Sequence, residues 1–156
     1  MNPYVEYLDG RDVLEILRTT PSSFQSLTGH LTTEQLDQPT APGKWSLRQI
    51  FAHMADCEIV WANRIRQVLA EPGVTIAPFD QDVWAQRYSA YTAAEALSTF
   101  TALRGWNVSL LTTLTAAERS YMLSHPERGT FPLQELLELI AGHDLNHVTR
   151  LRELLK

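Results

Sequence analysis

An all-α fold, a four-helix bundle with additional short helices, is the class this sequence predicts. Three observations carry that reading. Four stretches place apolar residues at spacings of three and four, the period of an amphipathic helix. Ser/Thr-x-x-Glu/Gln capping boxes stand in front of several helical segments. No stretch shows the strict alternation of a half-buried strand. The 156 residues suffice for one substantial core, and no repeat or linker divides them, so residues 1–156 read as a single domain.

Taken in order, Asp12-x-x-Glu15 opens a first helix carrying Val13, Leu14, Ile16 and Leu17, and the pattern resumes with Phe24, Leu27 and Leu31. Between them Pro21 marks either a kink or a fresh start, because proline suits only the first turn of a helix. Thr32-x-x-Gln35 caps one short turn, and Gln38–Lys44, with Pro39, Pro42 and Gly43, is a loop. Ser46-x-x-Gln49 starts the second long helix, with Trp45 and Ile50 placed as a hydrophobic staple. Leu47, Ile50, Met54, Cys57, Trp61, Ile65 and Val68 hold helical period to about Ala70, where Pro72-Gly73 ends it.

Glu71–Gln81 is a long irregular connection, a kind of segment that often carries function, and Asp82–Tyr88 reads as a short helix across the bundle. Thr92-x-x-Glu95 opens the third long helix, whose apolar face is Ala96, Phe100, Leu103, Trp106, Leu110 and Leu114. Thr115-x-x-Glu118 opens one more turn, and Ser124–Pro132 reads as a connection. Leu133–Leu155 is the fourth helix, with Leu136, Ile140, His143, His147, Leu151 and Leu154 along its buried stripe. The long connections leave the order of the helices open to crossovers.

Composition narrows the function. A net charge of −5 without a basic run argues against nucleic acid and anionic membrane as partners. No apolar run approaches the roughly 20 residues of a membrane span, and MNPYVEYLDGRD lacks the apolar centre of a signal peptide. Cys57 is the only cysteine, which forbids an intrachain disulfide and suits a reducing interior. A cytoplasmic protein acting on a small molecule is the expectation.

The chemistry concentrates in the fourth helix. Four residues advance an α-helix about 6 Å and turn it by about 40°, so His143 and His147 project together and can share one ion. The plainer alternative is two core-edge histidines hydrogen-bonded to neighbours. Buried imidazoles need a partner for each nitrogen, and a metal needs a further ligand from a facing helix. His53, beside Ile50, Met54 and Cys57 on the second helix, is the natural candidate. Cys57 itself reads as a packed thiol, His30 and His125 as solvent-facing, and Trp45, Trp61 and Trp106 as core or pocket wall, with Trp84 at an entrance.

Three blocks of sequence carry a family resemblance: Trp45-Ser46-Leu47-Arg48, His53-Met54-Ala55-Asp56-Cys57-Glu58 and His143-Asp144-Leu145-Asn146-His147, with Arg104 and the Pro126-Glu127-Arg128-Gly129 turn between the last two. In that order they resemble the DinB-like superfamily of small bacterial helical bundles. The resemblance spans nearly the whole chain and implies a four-helix bundle of DinB type. It implies one divalent metal, nickel or zinc, held by His53, His143 and His147. Where the family often has glutamine three positions after the last histidine, this chain has Arg150, a permanent cation that favours an anionic ligand or a carboxylate partner.

Three neutral imidazoles leave a coordination position open, as in catalytic sites, and such an ion acidifies water and ionises a thiol. The expectation is therefore a metal-dependent enzyme, hydrolase-like or transferring to a low-molecular-weight thiol as co-substrate. The alternative is a non-catalytic module for binding or stress response, stabilised by the metal. Asp56, Glu58 and Asp144 are candidates to orient the ligands, Arg150 and Trp84 to line the pocket, and the bundle has faces suited to a homodimer.

Overall fold

The computed structural model describes residues 2–156. Its long helices are α2 (Val13–Thr28), α4 (Leu47–Ala70), α6 (Ala93–Leu111) and α8 (Leu133–Leu154). Short helices α1 (Val5–Leu8), α3 (Thr33–Asp37), α5 (Gln81–Ala85) and α7 (Ala116–Arg119) and a 3-10 turn at Tyr88–Ala90 fill the connections. The local signals act where the sequence places them. Ser46, Thr92, Thr32 and Thr115 each close a capping box with the glutamine or glutamate three residues on, and Asp12 accepts from the Glu15 amide.

Pro21 neither ends nor restarts a helix: α2 runs through it unbroken. Its ring nitrogen has no proton, so the Leu17 carbonyl one turn earlier loses its helical partner. The Arg104 guanidinium supplies the replacement, Nη1 donating to the Leu17 oxygen at 3.1 Å. A tertiary contact compensates the local defect.

The helix order is not up-and-down. Two apolar clusters lie at opposite ends of the bundle. The first holds Ile16 and Leu17 of α2, Trp61, Ile65 and Val68 of α4, Val108 and Leu111 of α6, and Leu133–Ile140 of α8. The second holds Phe24, then Leu47, Phe51 and Met54, then Ala96 and Phe100, then Val148 and Leu151. Following each helix from cluster to cluster, α4 and α6 run one way while α2 and α8 run the other. α4 packs on α6, and α2 on α6 and α8, leaving α4 and α8 the least engaged of the neighbouring pairs. Residues 71–92 must therefore cross the length of the bundle, with Ile76 in the first cluster and Tyr88 in the second.

The segment Ser124–Pro132 departs from expectation. It belongs to a two-stranded antiparallel hairpin, β1 (Met122–His125) and β2 (Gly129–Pro132), with Gly129 at φ 76° after the turn. Each strand has only four residues, too few for alternation to stand out from a loop. The crossover docks on β1 through Gly73 N to Met122 O at 2.7 Å, Ile76 N to Ser124 O at 2.8 Å and Ser124 N to Val74 O at 2.9 Å. His125, expected at the surface, is consequently buried.

α6 also presents a different face from the expected one. Its buried residues are Ala93, Ala96, Phe100, Arg104, Asn107, Val108 and Leu111, and Trp106 is 69% exposed. Apolar residues surround this helix, so their positions alone do not single out the buried side. Leu154, the last residue of α8, likewise leaves the core. Among the described residues no helix is long and apolar enough to cross a membrane.

Two helical glycines should respond oppositely to alanine. A Cβ on Gly142 of α8 would lie 2.6 Å from the Tyr4 Cβ and 2.7 Å from its carbonyl oxygen, whereas one on Gly105 of α6 meets nothing within 4 Å. Urea unfolding should show Gly105→Ala stabilised by about 0.8–1 kcal/mol. Gly142→Ala should be destabilised by about 1–2 kcal/mol as α1 is displaced.

Candidate metal centre

Three imidazoles meet where α4 faces α8. His53 Nε2 lies 3.1 Å from His143 Nε2, which lies 3.2 Å from His147 Nε2. The capped start of α4 sets the phase that turns His53 inward between Phe51, Met54 and Cys57, and the four-residue step on α8 stacks His147 above His143. His53 and His143 are buried and His147 half-buried. Trp45 lies 5.1 Å from the His53 ring, and Trp61 meets His143 edge-on at 5.1 Å, with Tyr4 at 5.7 Å from the same ring.

These nitrogens cannot satisfy one another. A ring nitrogen donates one proton or accepts one. His143 Nε2 faces two imidazole nitrogens and can make a hydrogen bond with only one. A divalent cation between three lone pairs removes the conflict, and tetrahedral ligation at about 2.0–2.1 Å sets ligand nitrogens roughly 3.3 Å apart, close to the two separations His143 Nε2 makes, to His53 and to His147. Protonation is suppressed as ligation requires. Burial pulls His53 down to about 4. Burial, then the charges of His53 and Arg150, pull His147 down to about 3. Burial holds His143 well below its ordinary range.

Cys57 is a neighbour the spacing of histidines did not bring forward. Its Sγ lies 3.5 Å from His53 Nε2, and His53, Cys57 and His143 offer three ligand atoms all within 4.8 Å of one another, a set that competes with the three histidines. The i, i+4 relation to His53 on one helix is the signal that could have found it. Burial raises the thiol well above its usual range, with Asp144, Glu58 and Asp56 adding to the rise. The carboxylates that oppose a thiolate favour a cation.

Beneath the histidines lies a buried ionic cluster. Arg104 pairs with both oxygens of Asp144, and its Nε and Nη2 reach Glu58 Oε1 at 2.9 and 2.7 Å. Asn107 Nδ2 donates to Glu58 Oε2 at 2.8 Å, and Arg104 Cζ lies 4.9 Å from the Phe100 ring centroid. Burial alone would lower the guanidinium, but Asp144 and Glu58 raise it above its usual value. Two carboxylates against one arginine leave one negative charge near the imidazoles. Asp144 Oδ1 is 4.0 Å from His143 Nδ1, which is buried without a hydrogen-bond partner.

The other candidates divide. Asp56 turns away from the histidines toward Tyr88: burial raises its carboxyl and the Tyr88 hydroxyl opposes the rise. Trp84 packs on Phe79 with ring centroids 5.2 Å apart, and it is Phe79 that lines the opening. Arg150 lies exposed on the wall of a cavity of about 600 Å³ that reaches His53, His143 and His147 past Trp45, Lys44 and Asn146. A second cavity, of about 340 Å³, reaches His53 and His143 from the crossover and the hairpin. Tyr4, Gln81, His53 and His143 border both, so the imidazoles stand where the cavities meet.

The sequence profile of the DinB superfamily matches residues 16–150. A protein of Oceanobacillus iheyensis named as a candidate metal-dependent hydrolase is 30% identical over 127 residues, covering 81% of this chain and 74% of that one. YfiT of Bacillus subtilis, with the same description, is 28% identical over 144 residues, covering 90% of this chain and 81% of its own. The solved structure of YfiT, described as a four-helix bundle of unusual topology, superposes with a TM-score of 0.83 at 26% identity, covering 91% of this chain and 83% of that one.

Removing the central cation of the ionic cluster should be costly. Arg104→Met leaves Glu58 and Asp144 buried without a counter-charge and should lose about 3–5 kcal/mol in urea unfolding. Adding Glu58→Gln should recover part of that loss.

Proposed function

This chain belongs to the DinB superfamily, and on that premise we propose that it is a metal-dependent hydrolase whose His53, His143 and His147 hold one divalent cation. The observation that carries the proposal is the meeting of three Nε2 atoms, from two helices, at the junction of two cavities. Bound there with a coordination position free, zinc or nickel would polarise a substrate carbonyl and acidify water.

The chain's own residues do the remaining work. Burial keeps the three imidazoles neutral, so their lone pairs are available at physiological pH. The Arg104 cluster supplies part of the charge balance for a dication and fixes Asp144 behind His143. Trp45, Trp61 and Tyr4 pack against the imidazole rings and hold them in place. Arg150 and Lys44 make the wall of the larger cavity cationic, suited to an anionic substrate.

One observation favours a second reading, transfer to a low-molecular-weight thiol. Two cavities opening onto one cluster give separate room for a thiol and for the molecule it attacks. Metal-dependent consumption of thiol without hydrolysis would distinguish this reading from the first.

Metal analysis of protein purified without chelator should find one equivalent of zinc or nickel. In competition titrations, His53→Ala, His143→Ala and His147→Ala should each weaken zinc binding by roughly 100-fold, and Cys57→Ala by no more than a few-fold. A large loss with Cys57→Ala and none with His147→Ala would replace the proposed ligands by His53, Cys57 and His143.

A further inference from the structure

The smaller cavity holds a charge that no described residue neutralises. Arg64 of α4 is 7% exposed. Its Nη2 donates to the Ala77 carbonyl of the crossover at 2.7 Å, and its Cζ lies 5.8 Å from the centroid of the Phe79 ring. Its Nε is buried without a hydrogen-bond partner, and among the described residues no carboxylate lies within ion-pair distance of it. A buried guanidinium with an idle donor is costly unless a ligand completes it. Arg104, buried one helix away, is paired on every side.

The surroundings of Arg64 define the missing partner. Arg128 borders the same cavity from the hairpin turn, with Glu127 beside it and the buried His125 facing in. Burial, reinforced by the positive charges of Arg64 and Arg128, holds His125 below its usual range, so it adds no charge near neutrality. Two arginines against one carboxylate leave one positive charge. That balance suits a carboxylate better than a doubly charged phosphate, and the planar guanidinium matches carboxylate geometry.

Position ties the cavity to the metal centre. His53, Cys57, Trp61 and Arg64 follow one another along one face of α4 and all border the cavity. Arg64 stands about 16 Å along the helix axis from His53, and helical side chains lean toward the N-terminus, which brings the guanidinium back toward Cys57.

We propose that this cavity is a substrate subsite for a single carboxylate, with Arg64 its principal counter-charge and Arg128 at its mouth. The molecule acted on at the histidines then carries a carboxylate at the end away from the reacting bond. That extension rests on the three histidines being the reaction centre, whereas the carboxylate site itself does not.

The test is a titration of the chelator-treated full chain with sodium butyrate, with butyramide as the neutral isostere and inorganic phosphate as the competing oxyanion, followed by nuclear magnetic resonance through the Arg64 Nε–H signal and, in wild type and every variant alike, through the backbone amide signals of residues lining the cavity. Butyrate should shift these signals saturably, butyramide should not, and phosphate should bind more weakly than butyrate. Arg64→Met should weaken butyrate binding roughly ten-fold. Arg128→Gln, at an exposed turn, should weaken it several-fold and decides the matter if Arg64→Met fails to fold. His147→Ala should leave it unchanged, so that failure of the metal reading and failure of this one give different results. Equal binding of butyrate and butyramide, tighter binding of phosphate, or undiminished binding by the folded arginine variants would overturn the proposal.

Discussion

One guanidinium joins all four long helices. Arg104 sits on α6, pairs with Glu58 of α4 and Asp144 of α8, and donates to the Leu17 carbonyl of α2. The last of these exists because Pro21 left that carbonyl free. A charge at 2% exposure is tolerable only because each of its partners is in place. The interaction therefore specifies the relative register of the helices as much as it stabilises them. Glu58 and Asp144 lie five residues after His53 and one after His143, so setting that register also sets where the imidazoles meet.

The topology explains why the opening lies where it does. With α4 and α6 running in the same direction, the chain between them must travel the length of the bundle. It does so hydrogen-bonded to the β1–β2 hairpin, and together these segments wall a space that α4 and α8 leave between them. An up-and-down bundle with short loops would have closed that space with a tight turn. The two apolar clusters supply rigidity at either end, and the polar layer with its cavities lies between them.

Much of this was legible in the chain. Capping boxes at Ser46 and Thr92 and the apolar spacing of α4 and α8 define those helices, because local hydrogen bonds and burial periodicity are written in adjacent residues. The pairing of His143 with His147 follows from helical geometry, and His53 is suggested by its place beside the apolar face of the second helix and by the resemblance its surrounding block carries. What escaped is what depends on partners distant in sequence. The buried face of α6 is chosen by Arg104 and Asn107, which no count of apolar residues would select over Trp106 and Leu110. His125 is covered by a crossover that its own neighbours do not encode. Cys57 is packed in the core, as its place in the apolar stripe implies, but its nearness to His143 exists only because α8 comes alongside.

The central claim is that three imidazoles, positioned by the Arg104 cluster, share one cation. The measurement that bears on it most directly is anomalous diffraction at the zinc and nickel edges from crystals of protein purified without chelator. The account predicts a single peak about 2.0–2.2 Å from the Nε2 atoms of His53, His143 and His147. A peak bonded to Cys57 Sγ with His147 excluded, or no peak between α4 and α8, would contradict it.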